Sequence, residues 1–327
     1  MRKIAIGGIA AVLLAAAVGA VYLTFFHSWA DKSKPIVFVP KTVDGRIDFW
    51  QVLGQGVYLA AKEFGEEVQT VGAIAESDIE GQIALLEKAI AERPKAIVLA
   101  ASDYNLTVPI ATKIRDAGIP LITVDSGLNG GISRSFIATD NYKAGRQAGE
   151  AMANLATRDE PIAVVSFMKG SKTAMERESG VRDRMKEAGM SAVDETTYYS
   201  ESSVEKAYEI VKQLLLDKPD LRGLVCLNEM TTVGAARAVK ELGFDGRLKM
   251  VGFDSSTEEI AYLEEGVIQA IVVQKPFNMG YLAIRAAVDV TRGRKVEPLI
   301  DTGSELITKE NMYTKENQKL LFPFDAQ

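Results

Sequence analysis

The sequence predicts an α/β protein made of two doubly wound lobes, each a parallel sheet covered by helices. Three observations carry this prediction. Short runs rich in Val, Ile and Leu alternate along the chain with segments of helical period. Most of those runs are apolar at successive positions, as strands covered on both faces are. About ten such runs in 327 residues are too many for one small doubly wound unit and enough for two.

Taken in order, strands are predicted at 35–39, 68–71, 96–101, 121–124, 135–138, 162–167, 196–199, 223–227, 249–253 and 269–273. Between them lie helical patterns. Ile79, Ile83, Leu86 and Ile90 share one helix face, and similar periods cover 49–64, 106–116, 143–156, 175–188, 204–216, 233–242 and 278–290. Several of these end at a glycine (Gly65, Gly118, Gly189, Gly243), the residue that terminates helices in a left-handed conformation. One series runs to about Ala138 and a second begins near Thr139, with no Pro/Gly/Ser linker between them. That continuity predicts close, multiply connected lobes.

Ahead of both series, Arg2 and Lys3 precede an apolar stretch over residues 4–26. Positive charge before apolar residues directs the following chain out of the cytoplasm. Ser28-Trp29-Ala30 offers a small-x-small cleavage site, so residues 1–33 read as a signal peptide or a membrane anchor. The stretch is long enough to span a bilayer, which takes about 20 apolar residues, and this favours a retained transmembrane anchor. No cysteine lies near this end, which excludes a lipoprotein.

Composition removes several function classes. A net charge of −6 without basic clusters argues against nucleic acid as a partner. The single cysteine, Cys226, sits in an apolar run and reads as a buried strand residue. The single histidine, His27, adjoins the N-terminal stretch, so neither a multi-histidine metal site nor a histidine triad is available to the folded part. Gly54-Gln55-Gly56 lacks the third glycine of a dinucleotide fingerprint and falls within a helical pattern; no phosphate loop or nucleophile elbow occurs. No cofactor is implied.

In open parallel sheets, ligands bind beyond the carboxyl ends of the strands. The residues just after the apolar runs are Asp125, Asn228, Glu229, Asp254 and Gln274; Arg177 follows the 162–167 strand, and Phe49 and Trp50 follow the first. Singly, an aspartate after a strand is commonly a helix cap, an aromatic is commonly core, and an arginine is commonly solvated. Together the residues form a set suited to a polyol. Carboxylates accept from adjacent hydroxyls, the guanidinium donates a planar fork, amides do both, and rings cover C–H faces. An acid–base pair on Asp125 and Asp254 is the enzymatic alternative.

The chain resembles the type I periplasmic binding proteins, in the ribose-binding-like sugar group. The resemblance rests on Asp48-Phe49-Trp50, Gly118-Ile119-Pro120 leading to Asp125, Ala138-Thr139-Asp140-Asn141, Arg177-Glu178-Ser179-Gly180, Leu227-Asn228-Glu229, Val251-Gly252-Phe253-Asp254 and Val273-Gln274-Lys275-Pro276, in order from Lys34 to Met312. It implies three crossovers near Ala138, Gln274 and Asp301, hence one lobe of 34–138 plus 274–300 and another of 139–273 plus 301–327. It also implies a cleft lined by Phe49, Trp50, Asp125, Arg177, Asn228, Asp254 and Gln274. Two departures bear on the ligand. Ser126 stands where the ribose-type pattern has Arg, and Val39-Pro40-Lys41 resembles relatives that bind autoinducer-2 or rhamnose, bringing Lys41 toward the cleft. The implied role is a non-enzymatic receptor for a small sugar or polyol, with autoinducer-2 or a cyclitol as alternatives. Its partner is the permease of an ABC importer or, with a retained anchor, a sensor histidine kinase. A cytoplasmic repressor of the same architecture would need a DNA-binding segment where residues 4–26 stand.

Overall fold

In the computed structural model, which describes residues 34–322, the alternating pattern resolves into two six-stranded sheets. The proposed signal or anchor at 4–26 lies outside the described residues. Among those that are described, no helix is long and apolar enough to cross a membrane.

The first sheet takes β1 (Ile36–Val39), β2 (Val68–Thr70), β3 (Ala96–Leu99), β4 (Leu121–Val124), β5 (Ser135–Ala138) and β11 (Leu299–Asp301), in the spatial order β11-β5-β4-β3-β1-β2. Every pairing in it is parallel. The second takes β6 (Ile162–Ser166), β7 (Val193–Tyr199), β8 (Gly223–Cys226), β9 (Lys249–Phe253), β10 (Ala270–Gln274) and β12 (Ser304–Thr308), in the order β12-β10-β9-β8-β6-β7. Here only β12 runs antiparallel, against β10. The two sheets thus share one winding order. Central strands such as β3 and β8 are buried at every residue, which explains their unbroken apolar sequences.

Helices cover both faces: α1 (Asp48–Phe64), α2 (Ile79–Glu92), α3 (Val108–Asp116), α4 (Asn141–Leu155), α5 (Lys172–Glu187), α6 (Val204–Asp217), α7 (Glu229–Glu241), α8 (Thr257–Glu265), α9 (Pro276–Thr291) and α10 (Lys315–Leu321). Gly65, Gly118, Gly189 and Gly243 all have positive φ, between 66° and 77°, and end their helices as predicted. Four elements had no counterpart in the sequence reading: β11, β12, α8 and α10. The first two are edge strands. Leu299 and Asp301 are exposed, and Ile307 is the one fully buried residue of β12, so neither forms an apolar run.

Close helix contacts fix the elements around the crevice. α1 crosses α9 through Gly56 and Gly280, where an added Cβ would sit 2.1 Å from the carbonyl oxygens of Phe277 and Leu53. α4 crosses α5 in the same manner. A Cβ on Gly145 would lie 2.2 Å from the Arg177 oxygen, and one on Gly180 would lie 2.2 Å from that of Tyr142. Backbones this close leave no space for a side chain.

The chain passes between the sheets three times: after Ala138, after Gln274 and after Asp301. The first and third passages are tied together. Asp301 Oδ1 accepts the N–H groups of Asp140 (3.0 Å) and Gly303 (2.8 Å), and the Thr302 N–H donates to the Ala138 carbonyl at 2.9 Å.

Candidate functional site

The strands of both sheets point their carboxyl ends at a shared crevice, and all eight sequence-predicted residues line it. From the first lobe come Lys41, just past β1; Phe49 and Trp50, in the first turn of α1; and Asp125, directly after β4. From the second come Arg177, within α5; Asn228, two residues past β8; and Asp254, directly after β9. Gln274 ends β10 at the second passage. Ile47, Glu76, Phe167, Thr173 and Glu229 complete the lining.

Neither aspartate is the N-cap residue of a helix. Asp125 and Asp254 hold left-handed φ values of 60° and 78°, which non-glycine residues rarely adopt. Asp125 Oδ2 lies 2.8 Å from Lys41 Nζ in a buried ion pair. The Lys41 ammonium lies 5.9 Å from the ring centres of both Trp50 and Phe167. Asp254 Oδ1 accepts from Gln274 Nε2 at 2.7 Å, and its Oδ2 accepts the Glu229 N–H at 3.1 Å. Burial raises the Asp254 pKa above the usual carboxylate range, against the opposing effects of Arg177, Gln274 and the Glu229 amide.

Arg177 is 2 % exposed, so its charge is held by the protein and not by water. Its Nε donates to Asn141 Oδ1 at 2.9 Å and its Nη1 to the Leu227 carbonyl at 2.8 Å. Asp254 Oδ2 stands 3.9 Å from the same nitrogen, and the Phe253 ring centre 4.4 Å from the guanidinium carbon. Burial lowers the Arg177 pKa, while Asp254, Asp125 and Glu76 act to restore it. Gln274 Oε1 is buried without a protein partner among the described residues, which leaves an acceptor facing the crevice.

Asn228 departs from the rest. It caps α7, with Oδ1 accepting from the Thr231 N–H at 3.1 Å, and its Nδ2 donates to Ser202 Oγ at 3.2 Å. Both ends of its amide are therefore engaged by the protein. Trp50 is both core and wall. It packs in the apolar core of the first lobe, and its Nε1 donates to Glu76 Oε1 at 2.8 Å. Phe49 stands edge-on to it, with ring centres 5.1 Å apart.

Sequence reasoning left five lining residues out of the predicted site; Ile47, apolar and just ahead of α1, is passed over by a rule that selects polar residues after strands. Glu229 followed Asn228 at a strand end and was visible there. Glu76 lies in the loop after the edge strand β2, five residues past the predicted 68–71 run and so beyond the positions that directly follow a strand. Phe167 extends its strand's apolar run, so a rule that selects polar residues passes over it. Thr173 lies in the first turn of α5, one turn ahead of Arg177. Cys226 is buried, as predicted, and burial pushes its thiol pKa far above the ordinary range. Among the described residues, no group of three or more His, Cys, Asp or Glu side chains is arranged to hold a metal.

The fold has known relatives. The periplasmic binding protein domain family matches residues 36–295. The chain is 26% identical over 312 residues to the D-ribose/D-allose-binding protein of Pseudomonas aeruginosa, covering 92% of this chain and 97% of that protein. An ABC transporter solute-binding protein from Agrobacterium vitis with bound D-fucose superimposes with a TM-score of 0.84 at 31% identity, over 88% of this chain and 99% of that one. A sugar transporter from Clostridium phytofermentans does so with a TM-score of 0.79 at 39% identity, over 85% and 100%. These relatives are sugar-binding transport proteins and not enzymes, which removes the acid–base alternative on Asp125 and Asp254. The chain belongs to the periplasmic binding protein family, in the type I, ribose-binding-like sugar-binding group.

Proposed function

We propose that this protein is an extracytoplasmic receptor that closes its two lobes around one small, neutral, hydroxyl-rich sugar and presents the closed form to the permease of an ABC importer. The observation that carries the reading is the meeting of hydrogen-bonding side chains from both lobes in one crevice. A ligand touching both walls stabilises the closed state over the open one. Asp125 and Asp254 accept hydroxyl protons, Arg177 donates, Gln274 Oε1 accepts, and Phe49 and Trp50 cover an apolar ring face.

The charge balance narrows the ligand class. Four carboxyl side chains (Glu76, Asp125, Glu229, Asp254) face two cations (Lys41, Arg177). An anionic sugar would find both cations already engaged, Lys41 with Asp125 and Arg177 beside Asp254, so neutral polyols are favoured. Lys41 supplies, from the end of β1, a cation beside Asp125 of the kind that a ribose-type sequence carries at the position of Ser126.

The test is a calorimetric screen of D-ribose, D-allose, D-fucose, cyclitols and autoinducer-2 beside uronates and sugar phosphates. A neutral member is expected to bind at micromolar Kd or tighter, about −8 kcal/mol, and the anionic ones at least about tenfold more weakly. Asp125→Ala or Arg177→Ala is expected to cost at least about 100-fold in affinity with circular dichroism unchanged. Undiminished binding in both variants would overturn the site. A sensor kinase as partner goes with retention of residues 4–26; an intact Met1 terminus in the membrane fraction would favour it, and a start at Asp31 would remove it.

A further inference from the structure

The crevice is spanned by helix caps exchanged between the lobes. α1 begins after Ile47, whose side chain has no oxygen with which to cap it. The missing acceptor comes from the opposite lobe: Glu229 Oε1 and Oε2 accept the backbone N–H groups of Asp48 and Phe49, both at 2.9 Å. In return, Asp48 Oδ2 accepts the N–H of Thr257, at the start of α8 in the second lobe, at 3.2 Å. Both carboxyl oxygens keep a lone pair for these N–H groups even when the group is protonated, which an amide nitrogen in their place does not.

We infer that Glu229 is a positioning residue and the principal bolt of an interlobe latch, completing α1 only when the lobes meet and thereby seating Phe49 and Trp50 over the ligand. This deepens the two-lobed receptor reading and rests on it. Glu229 contributes to closure through backbone atoms of the opposite wall, so its effect does not depend on which sugar is bound. Without it, the first turn of α1 has two N–H groups that only water satisfies, and these favour an open crevice. Part of the preference for the closed form is therefore built into the chain, and the ligand has correspondingly less of the equilibrium to shift.

The experiment measures interlobe distance by electron spin resonance on the full chain, with labels at Lys88→Cys on α2 and Lys186→Cys on α5, both exposed. Cys226 is buried and stays unlabelled. The unliganded protein is expected to show a short-distance, closed population. Glu229→Gln is isosteric but turns an amide NH2 toward a backbone N–H; it is expected to lower the closed-to-open ratio at least about fivefold. Asp48→Ala, on the more accessible side of the latch, is a second variant less prone to folding defects, and a smaller fall of about twofold is expected. A distance distribution unchanged in both variants would overturn the latch, as would the absence of a closed population in the wild type with and without sugar. Adding D-allose or D-fucose separates the two readings. If neither sugar moves the wild-type distances while Glu229→Gln still does, the ligand assignment fails and the latch stands.

Discussion

The resemblance of Val39-Pro40-Lys41 to relatives that bind autoinducer-2 or rhamnose brings Lys41 toward the cleft, and its side chain lies there 3 % exposed against Asp125. A buried charge that loses its partner costs several kcal/mol, whereas neutralising both partners can cost little. Lys41→Met, which keeps the apolar stem between Trp50 and Phe167, is expected to lower the unfolding free energy by about 3 kcal/mol in urea titration. Lys41→Met combined with Asp125→Asn is expected to recover most of that loss, since Asn tolerates the left-handed backbone at position 125. Equal losses in the single and double variants would show that the pair is not what stabilises the site. The sequence exposed these side chains because strand ends in a parallel sheet are where polar residues gather. It did not disclose that Asn228 spends its Oδ1 on capping α7 and its Nδ2 on Ser202, because a ligand contact and a structural hydrogen bond read alike in one dimension.

At the scale of elements, buried strands were legible and edge strands were not. β3, β4, β8 and β9 are covered on both faces and carry their own label in Val, Ile and Leu. β11 and β12 are short, partly exposed and polar, so their strand state comes from pairing with β5 and β10. Helix crossings were also invisible in advance, although one of the glycines that permit them, Gly180, stood in a matched motif. Gly180 lies three residues after Arg177 on the same helix, and its missing side chain lets α5 meet α4. Gly180→Ala is expected to cost at least about 2 kcal/mol in denaturant unfolding and to weaken sugar binding as well, because parting the helices moves Arg177. Gly54→Ala, where nothing lies within 4 Å of the added carbon, is the control and is expected to be neutral or stabilising by about 0.5–1 kcal/mol. Equal costs at the two positions would show that close crossing is not the reason.

For the whole molecule, closure and protonation are coupled. Burial raises the Glu229 pKa to about 8, with the Asp254 charge adding to it and the Phe49 and Asp48 amides opposing it. Burial also raises Asp254 and takes Glu259 well above the ordinary range, so the three carboxyls share protons as a group. The charges facing that group are Asp48 and Asp125, which oppose ionisation, and Arg177, which favours it. Opening the crevice returns Glu229 and Asp254 to water and toward ordinary values, so the closed form binds more protons between about pH 4.5 and 8. The sign follows: closure is favoured at the acid end of this window and weakens as pH rises through 8. Calorimetry of sugar binding at pH 7 in buffers of different ionisation enthalpy is expected to show net proton uptake, with weaker binding at pH 9 than at pH 6. Proton release would contradict the assignment.

The clasp at Asp301 has a mechanical consequence. One carboxylate oxygen grips both segments that leave the first sheet for the second, so those two passages cannot slide past each other without breaking it. Holding those two segments side by side favours rotation of the lobes about their shared line over translation. Such a joint turns a sub-ångström adjustment beside the sugar into a much larger sweep at the distant rims, the part of each lobe that a membrane protein is able to feel.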